Sequence, residues 1–305
     1  MLIQAFVPLG PKTTMRIGGK AQWYAEIQTE KDAEDAYAFS REKNIPLIVL
    51  GGGSNTIFAD DVINALVVRI RAENVDIESN VEALHAMPLQ SQFTKIHVHA
   101  GKILGSLLNE LAAQNLDLSA LAGIPGTVGG AIFGNAGQGP KGIWIDAFVE
   151  SVTAFMDGEW KTLTRDACGF RYRESKFKDA AAGHSVIIWK ATLNVPSKPA
   201  TEVKAEIERL LKKRIETQPH LKTAGSCFKA LPDGTPAWQL IDMAGLRGKR
   251  IGGIQISEKH ANFLLNVEQG TFEDTRTITT LIQKKVPEIA GIEMRFYGAK
   301  GEISG

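Results

Sequence analysis

The sequence predicts an α+β fold, and three observations carry that reading. Stretches with helix-capping signals stand beside short apolar runs of strand length. The chain has 305 residues and is 44% hydrophobic, enough for two or three domains and a sizeable core. Its 30 glycines are clustered, with seven between Gly123 and Gly139. So much backbone freedom is costly to order, and a ligand that needs close approach of the main chain would justify it.

Three regions follow in order, with no long linker between them: 1–70, 71–197 and 198 onward. In the first, Thr29 and Asp32 form a capping-box pattern that opens a helix through about Lys43. IPLIVL (Ile45–Leu50) and ALVVRI (Ala65–Ile70) then read as buried strands, which suggests a small βαβ unit. In the second region Lys95–Ala100 and Ser185–Leu193 read as extended, and Leu104–Gln114 as helical.

The third region opens with Pro199 at a helix start. Val203, Ile207, Leu210, Leu211 and Ile215 fall on one face of that helix, which ends before Pro219. Its run Lys212–Arg214 reads as a solvated helix face. A second capping box, Thr271 with Asp274, starts a helix toward Lys285, and GIEMRFYG near the end reads as a closing strand. No internal repeat or low-complexity tract interrupts the chain.

Composition excludes several functions. A net charge of +1 lacks the cationic surplus of a general nucleic-acid binder. No apolar run approaches the roughly 20 residues of a membrane span, and Met1–Gly10 lacks the pattern of a signal peptide. The two cysteines, Cys168 and Cys227, form neither a CxxC pair nor a disulfide framework, so a reduced cytoplasmic compartment is expected. His97 and His99 share one face of a strand but lack a third ligand, so no metal is expected.

Two glycine loops suggest the chemistry. LGGGSNTIF (Leu50–Phe58) follows a buried strand, and successive glycines there can form a nest of N–H groups for phosphate oxygens. It is neither a dinucleotide fingerprint, since Thr56 stands where a third glycine is needed, nor a P-loop. A plain tight loop is the other reading of that segment. In GIPGTVGGAIFGNAG, Pro125 fixes one backbone angle while Gly126, Gly129 and Gly130 free others, which gives a specific path. Two such loops suit a long diphosphate ligand with a ring system.

The motifs in order resemble the UDP-N-acetylenolpyruvoylglucosamine reductase (MurB) family. They are TTMRIGGKA (Thr13–Ala21), VLGGGSN (Val49–Asn55), GIPGTVGGAIFGNAG, FRYRESKF (Phe170–Phe177), AGSCFK (Ala224–Lys229), IGGIQISEKHANFLLN (Ile251–Asn266) and IEMRF (Ile292–Phe296). The short spacing from FRYRES to AGSCF is similar to the compact subtype, which lacks an inserted tyrosine loop.

The resemblance implies a three-domain flavoprotein with a two-part FAD-binding region, like that of vanillyl-alcohol oxidase and p-cresol methylhydroxylase. The first part is 1–70, to which 287–305 returns; the second is 71–197; a substrate-binding domain spans 198–286. It implies non-covalent FAD, NADPH as hydride donor and a UDP-sugar enolpyruvyl ether as substrate, handled by a cytoplasmic monomer in peptidoglycan precursor synthesis. On these motifs the flavin contacts are Gly51, Gly52, Gly53, Ser54 and Asn55, then Ile124, Pro125, Gly126, Thr127, Gly129, Gly130 and Ala131.

Arg173 falls on the family's active-site arginine, whose guanidinium can hold a carboxylate in a fork. Ser226 falls on its proton donor and Glu293 on its catalytic glutamate. Lys229, Lys259, His260 and Asn262 are expected at the substrate. Two departures stand out: Gly291 where many relatives have glutamate, and Ala230 where the family has an asparagine near the diphosphate. Lys229 is the nearest charge that could compensate. The alternatives are an FAD-dependent oxidase of the same architecture or a non-catalytic binding module. The loops contain no histidine or cysteine to tether flavin, and a mere binder needs no proton donor.

Overall fold

A computed structural model describes residues 1–78, 93–138, 142–181, 185–289 and 291–304. The expected ranges 71–197 and 287–305 extend in part outside these described residues. The early strands are β1 (Ile3–Pro8), β2 (Lys20–Ile27), β3 (Leu47–Val49), β4 (Thr56–Phe58), β5 (Val62–Ile70), β6 (Val75–Ile77) and β7 (Phe93–His99). There follow β8 (Val149–Met156), β9 (Glu159–Thr164), β10 (Val186–Pro196), β11 (Arg250–Ile251), β12 (Ile254–Ile256), β13 (Leu264–Asn266), β14 (Arg295–Tyr297) and β15 (Ile303–Ser304). The helices are α1 (Glu30–Glu42), α2 (Leu104–Ala112), α3 (Val128–Phe133), α4 (Lys176–Ala180), α5 (Ala200–Thr217), α6 (Ala237–Met243) and α7 (Phe272–Lys285).

The chain divides into two compact units, each assembled from separate segments. The first holds Met1, Ile27–Tyr37 and Arg69–Arg214; the second holds Leu2–Glu26, Ala38–Val68 and Ile215–Gly305.

The first unit is built on a five-stranded antiparallel sheet of order β6-β7-β10-β8-β9. The 11-residue β10 lies at its centre, and Val186–Trp189 are buried in succession, as befits a strand covered on both faces. Helix α2 buries Leu104, Leu107, Leu108 and Leu111, which fall at the i, i+3, i+4, i+7 spacing of one helical face. The β8–β9 hairpin turns at Asp157 and Gly158, both with positive φ. The sequence reading had only short strand signals there.

The second unit holds three small sheets: β1-β2-β5-β3, β15-β14-β4 and β11-β12-β13. Strand β3 runs parallel to β5, but the connection between them holds the Gly51–Asn55 loop and β4 with no helix, so the helix expected of a βαβ unit lies before both apolar runs, in α1. The C-terminal strand β14 runs parallel to β4, with Arg295 opposite Thr56. One buried cluster gathers Met15, Ile57, Phe228, Ile254, Leu264, Ile278 and Phe296; another gathers Tyr24, Leu50, Phe58, Ile63 and Val67.

Both capping boxes form. Asp32 N–H donates to Thr29 Oγ1 at 3.1 Å and Thr29 N–H to Asp32 Oδ2 at 2.9 Å. At α7 the corresponding bonds are both 3.0 Å. Helix α5 spans the expected residues, but its apolar stripe is buried only at Val203 and Ile207, while Ile215 is 55% exposed. The solvated reading of Lys212–Arg214 holds for Lys212 and Lys213 but not for Arg214, which is half-buried. Glycine at 123 leaves a seat that the arginine stem occupies: a Cβ built there would lie 2.7 Å from Arg214 Cδ.

Candidate active site

In the second unit, β3 ends where Leu50 N–H donates to Val68 O at 2.8 Å, and Gly51–Asn55 follow directly. Gly53 has φ +69, and a Cβ on it would sit 2.3 Å from Lys12 O. Only glycine allows that approach. Thr14 N–H donates to Gly53 O at 3.0 Å, so the TTMRIGGKA and GGGSN motifs are two sides of one contact. Among the described residues, the N–H groups of Gly51, Gly52, Gly53 and Asn55 meet no acceptor. Unpaired donors on adjacent residues are the supply that an anionic diphosphate requires.

The same loop adjoins both proton-handling candidates. Asn55 Nδ2 donates to Glu293 O at 3.0 Å, and Arg295 N–H donates to Asn55 O at 3.0 Å. Glu293 N–H donates to Cys227 O at 2.8 Å and Lys229 N–H to Gly291 O at 2.9 Å, with Phe228 and Ile292 paired between them. Antiparallel pairing thus fixes Glu293 beside the residue that follows Ser226. Gly225, with φ +80, turns the chain into Ser226, and its side-chain position lies 3.9 Å from Ser54 O. Ser226 Oγ has no hydrogen-bond partner among the described residues.

Cys227 is fully buried, and burial together with the nearby charge of Glu293 pushes its thiol well above the usual cysteine range. A thiol sealed from the surface is not presented to a bound ligand, which favours Ser226 as donor.

Asn262 supports this strand from its other side. Phe228 N–H donates to Asn262 Oδ1 at 2.9 Å, and Asn262 Nδ2 donates to Phe228 O at 2.8 Å. Its amide therefore positions the Ser226 segment. His260 is half-buried between Trp238 and Phe263, and its Nδ1 accepts from Asn262 N–H at 3.3 Å. Burial, aided by the charge of Arg247, holds its imidazole below the ordinary range. Lys259 Nζ donates to Ile215 O at 2.6 Å. The stem of Lys229 lies on Gly291, 3.3 Å from where a Cβ would be.

One group the sequence reading missed lies here. Thr223 Oγ1 is buried with no partner among the described residues, while Thr223 O accepts from Thr14 Oγ1 at 2.6 Å. An orphan hydroxyl beside the loop is a second sign that the cradle is built for a polar ligand. Spacing alone carried no signal for it.

In the first unit, Ile124–Ala131 is a bonded corner. Leu104 N–H donates to Gly126 O at 3.0 Å, Val128 N–H to Lys102 O at 2.9 Å and Gly129 N–H to Ala100 O at 2.9 Å. Thr127 caps α3 by accepting from Gly130 N–H at 3.3 Å. Gly129 is required by contact: a Cβ there would meet Ala100 Cβ at 2.7 Å.

This corner anchors Arg173. Asn135 Nδ2 donates to Arg171 O at 3.0 Å, and Ser175 Oγ donates to Phe133 O at 2.7 Å. Reciprocal bonds between Arg171 and Glu174, at 3.0 and 3.1 Å, close a tight turn with Arg173 at φ +59. A left-handed arginine costs about 1–3 kcal/mol and persists where its surroundings impose it. Lys178 Nζ reaches Arg173 O at 3.0 Å and Glu174 Oε1 at 3.2 Å, so Glu174 is engaged by Lys178. His97, in the same unit, bonds Glu78 and Thr192.

Comparison with known proteins follows this layout. Residues 21–164 match a family model described as an FAD binding domain. Residues 218–296 match the C-terminal domain of UDP-N-acetylenolpyruvoylglucosamine reductase. The reductase of Synechococcus sp. (strain JA-3-3Ab) is 36% identical over 93% of this chain and 86% of its own. That of Aquifex aeolicus (strain VF5) is 34% identical over 96% of this chain and 93% of its own. The crystal structure of the Thermus caldophilus reductase superposes with a TM-score of 0.79 at 29% identity, over 97% of this chain and 99% of that one. The α+β flavoprotein reading of the sequence is thereby confirmed, FAD-binding domain included. With identity that runs almost end to end and an architecture that follows it, the chain belongs to the UDP-N-acetylenolpyruvoylglucosamine reductase family.

Proposed function

We propose that this chain uses NADPH to reduce UDP-N-acetylglucosamine enolpyruvate to UDP-N-acetylmuramate, through bound FAD. The observation that carries the reading is the assembly of Gly51–Asn55, Ser226 and Glu293 in one unit, in a chain whose family is shown along nearly its whole length. The unpaired N–H groups of Gly51–Gly53 and Asn55 fit an FAD diphosphate. Ile124–Ala131 supplies a rigid backbone corner for the same cofactor. Held there, FAD would supply the hydride chemistry between the nicotinamide and the vinyl carbon of the substrate.

The residues of the chain handle charge and proton. As the vinyl carbon gains hydride, negative charge runs toward the substrate carboxylate. Arg173 binds that carboxylate, and its imposed turn fixes the direction in which its side chain leaves the backbone. Ser226 gives a proton to the neighbouring carbon, and Glu293, fixed through both its N–H and its C=O, supports that transfer. Asn262 and His260 hold this segment in place, and Lys229 and Lys259 supply positive charge toward the substrate diphosphate. We assign 198–286 to substrate binding and expect a cytoplasmic monomer. Among the described residues no helix is long and apolar enough to cross a membrane.

Incubation with NADPH and the enolpyruvyl sugar, followed by mass spectrometry, tests the assignment. The product should carry two more hydrogens than the substrate. Unchanged sugar beside consumed NADPH would reject it in favour of an oxidase.

A further inference from the structure

We propose that the side chain of Asn55 is a positioning group: it replaces its own backbone N–H in the β4–β14 ladder, which leaves that N–H to the cofactor diphosphate and fixes Glu293 for proton transfer. This rests on the function proposed above.

The ladder shows the exchange. Strands β4 and β14 run parallel, with Thr56 opposite Arg295 and Phe58 opposite Tyr297, so Asn55 stands opposite Met294 one step back. In a regular parallel ladder the Asn55 N–H would donate to Glu293 O and its C=O would accept from Arg295 N–H. The second of these bonds forms, at 3.0 Å. The first does not, and Asn55 Nδ2 donates to Glu293 O in its place, at 3.0 Å. At the other end the ladder is ordinary, with Ala59 N–H donating to Tyr297 O at 2.8 Å. The replacement is thus confined to the residue that closes the Gly51–Asn55 loop.

An asparagine amide carries the same donor as a peptide group, so it can fill a backbone position in a ladder. The backbone N–H of Asn55 then meets no acceptor among the described residues. On the far side, Glu293 N–H donates to Cys227 O at 2.8 Å. Glu293 is therefore held between the Ser226 segment and Asn55, and these two bonds set the direction in which its side chain leaves the backbone. Without the amide, the Asn55 N–H is free to turn back into the ladder, and the cradle loses a donor. One side chain thereby ties cofactor binding to the proton step.

Stopped-flow absorbance of FAD-saturated protein tests this. In Asn55→Ala, reoxidation by the enolpyruvyl sugar should slow about tenfold more than reduction by NADPH. FAD should bind about tenfold more weakly. Asn55→Leu keeps volume without a donor and should behave alike should the first fail to fold. Because Asn55 acts through Glu293, adding Asn55→Ala to Glu293→Gln should change the ratio of the two steps by less than about twofold. The wild type gives a reading by nuclear magnetic resonance: on FAD addition the Asn55 backbone N–H should shift, and its side-chain amide should not. Both steps slowed equally, or a full further effect in the Glu293→Gln background, overturn the proposal. Weaker FAD binding at an unchanged ratio also does, since Asn55 would then be a cofactor contact alone. So does a side-chain amide that shifts while the backbone N–H stays. A wild-type flavin that the sugar never reoxidises overturns the function itself, a different failure from steps that ignore Asn55.

Discussion

In Gly51–Asn55 the backbone donors of three glycines and Asn55 meet no acceptor among the described residues, whereas in Ile124–Ala131 those of Val128, Gly129 and Gly130 are bonded to Lys102, Ala100 and Thr127. The first loop is held from outside, by Thr14 on Gly53 and by Asn55 on Glu293, so its own N–H groups stay available. The second closes on its own unit and offers shape, with positive charge beside it at Arg173 and Arg214. Glycine richness therefore serves two ends: an anion cradle in one place, close packing of main chain in the other.

Substitutions can break this contrast, and the largest effect belongs to Ser226. In Ser226→Ala the rate of flavin reoxidation by the enolpyruvyl sugar should fall by about 10³-fold, within the range of general acid catalysis. Flavin reduction by NADPH should stay near the wild-type rate. Stopped-flow absorbance separates the two steps, and a normal reoxidation rate would remove Ser226 from proton transfer.

Glycine substitutions probe the two loops directly. Gly53→Ala places a methyl group against Lys12 O at positive φ and should cost about 2–4 kcal/mol of unfolding free energy. At Gly130 the nearest obstacle is Thr127 Oγ1 at 3.6 Å, inside a helix, so Gly130→Ala should fold with equal or up to about 1 kcal/mol greater stability. Urea denaturation compares them. Equal losses at both sites would mean that the loops are not held differently.

Asn262→Ala removes both side-chain bonds to Phe228 and strands two buried backbone groups, at about 2–3 kcal/mol. Its turnover should fall along with its stability, because Ser226 loses its support. Full turnover in a destabilised variant would show that the Ser226 segment positions itself.

The smallest effect is on pH dependence. Burial keeps the folded-state pKa of His260 below its unfolded value, so as pH falls the unfolded chain takes up a proton first. The stability this group contributes is complete above about pH 6.5 and declines as pH drops from there toward the folded value. His260→Phe should flatten that part of a stability profile between pH 7 and 5. Identical slopes in the two proteins would exclude the imidazole as their source.

What was legible in the sequence was local. Thr29 with Asp32 and Thr271 with Asp274 announce helix starts because the cap is made within four residues. The apolar runs of β3, β5 and β10 announce buried strands. Distant partnerships were not legible. That Gly53 faces Lys12, that Gly123 seats Arg214, and that Asn262 grips Phe228 depend on residues 34 to 91 positions apart meeting in space. Arg214 was misread because two exposed lysines precede it. Only the helix's rotation over Gly123 separates it from them. The family motifs name Arg173, Ser226 and Glu293, but Thr223 is visible only as a hydroxyl left without a partner.

The central claim is that this chain cycles a bound flavin between NADPH and the enolpyruvyl sugar. Its most direct test is the visible absorption spectrum of the FAD-loaded protein, taken anaerobically through both additions. The flavin band should bleach with NADPH and return with the enolpyruvyl sugar in the absence of oxygen. A band that returns only when oxygen is admitted, or no band after FAD is supplied, would contradict the account.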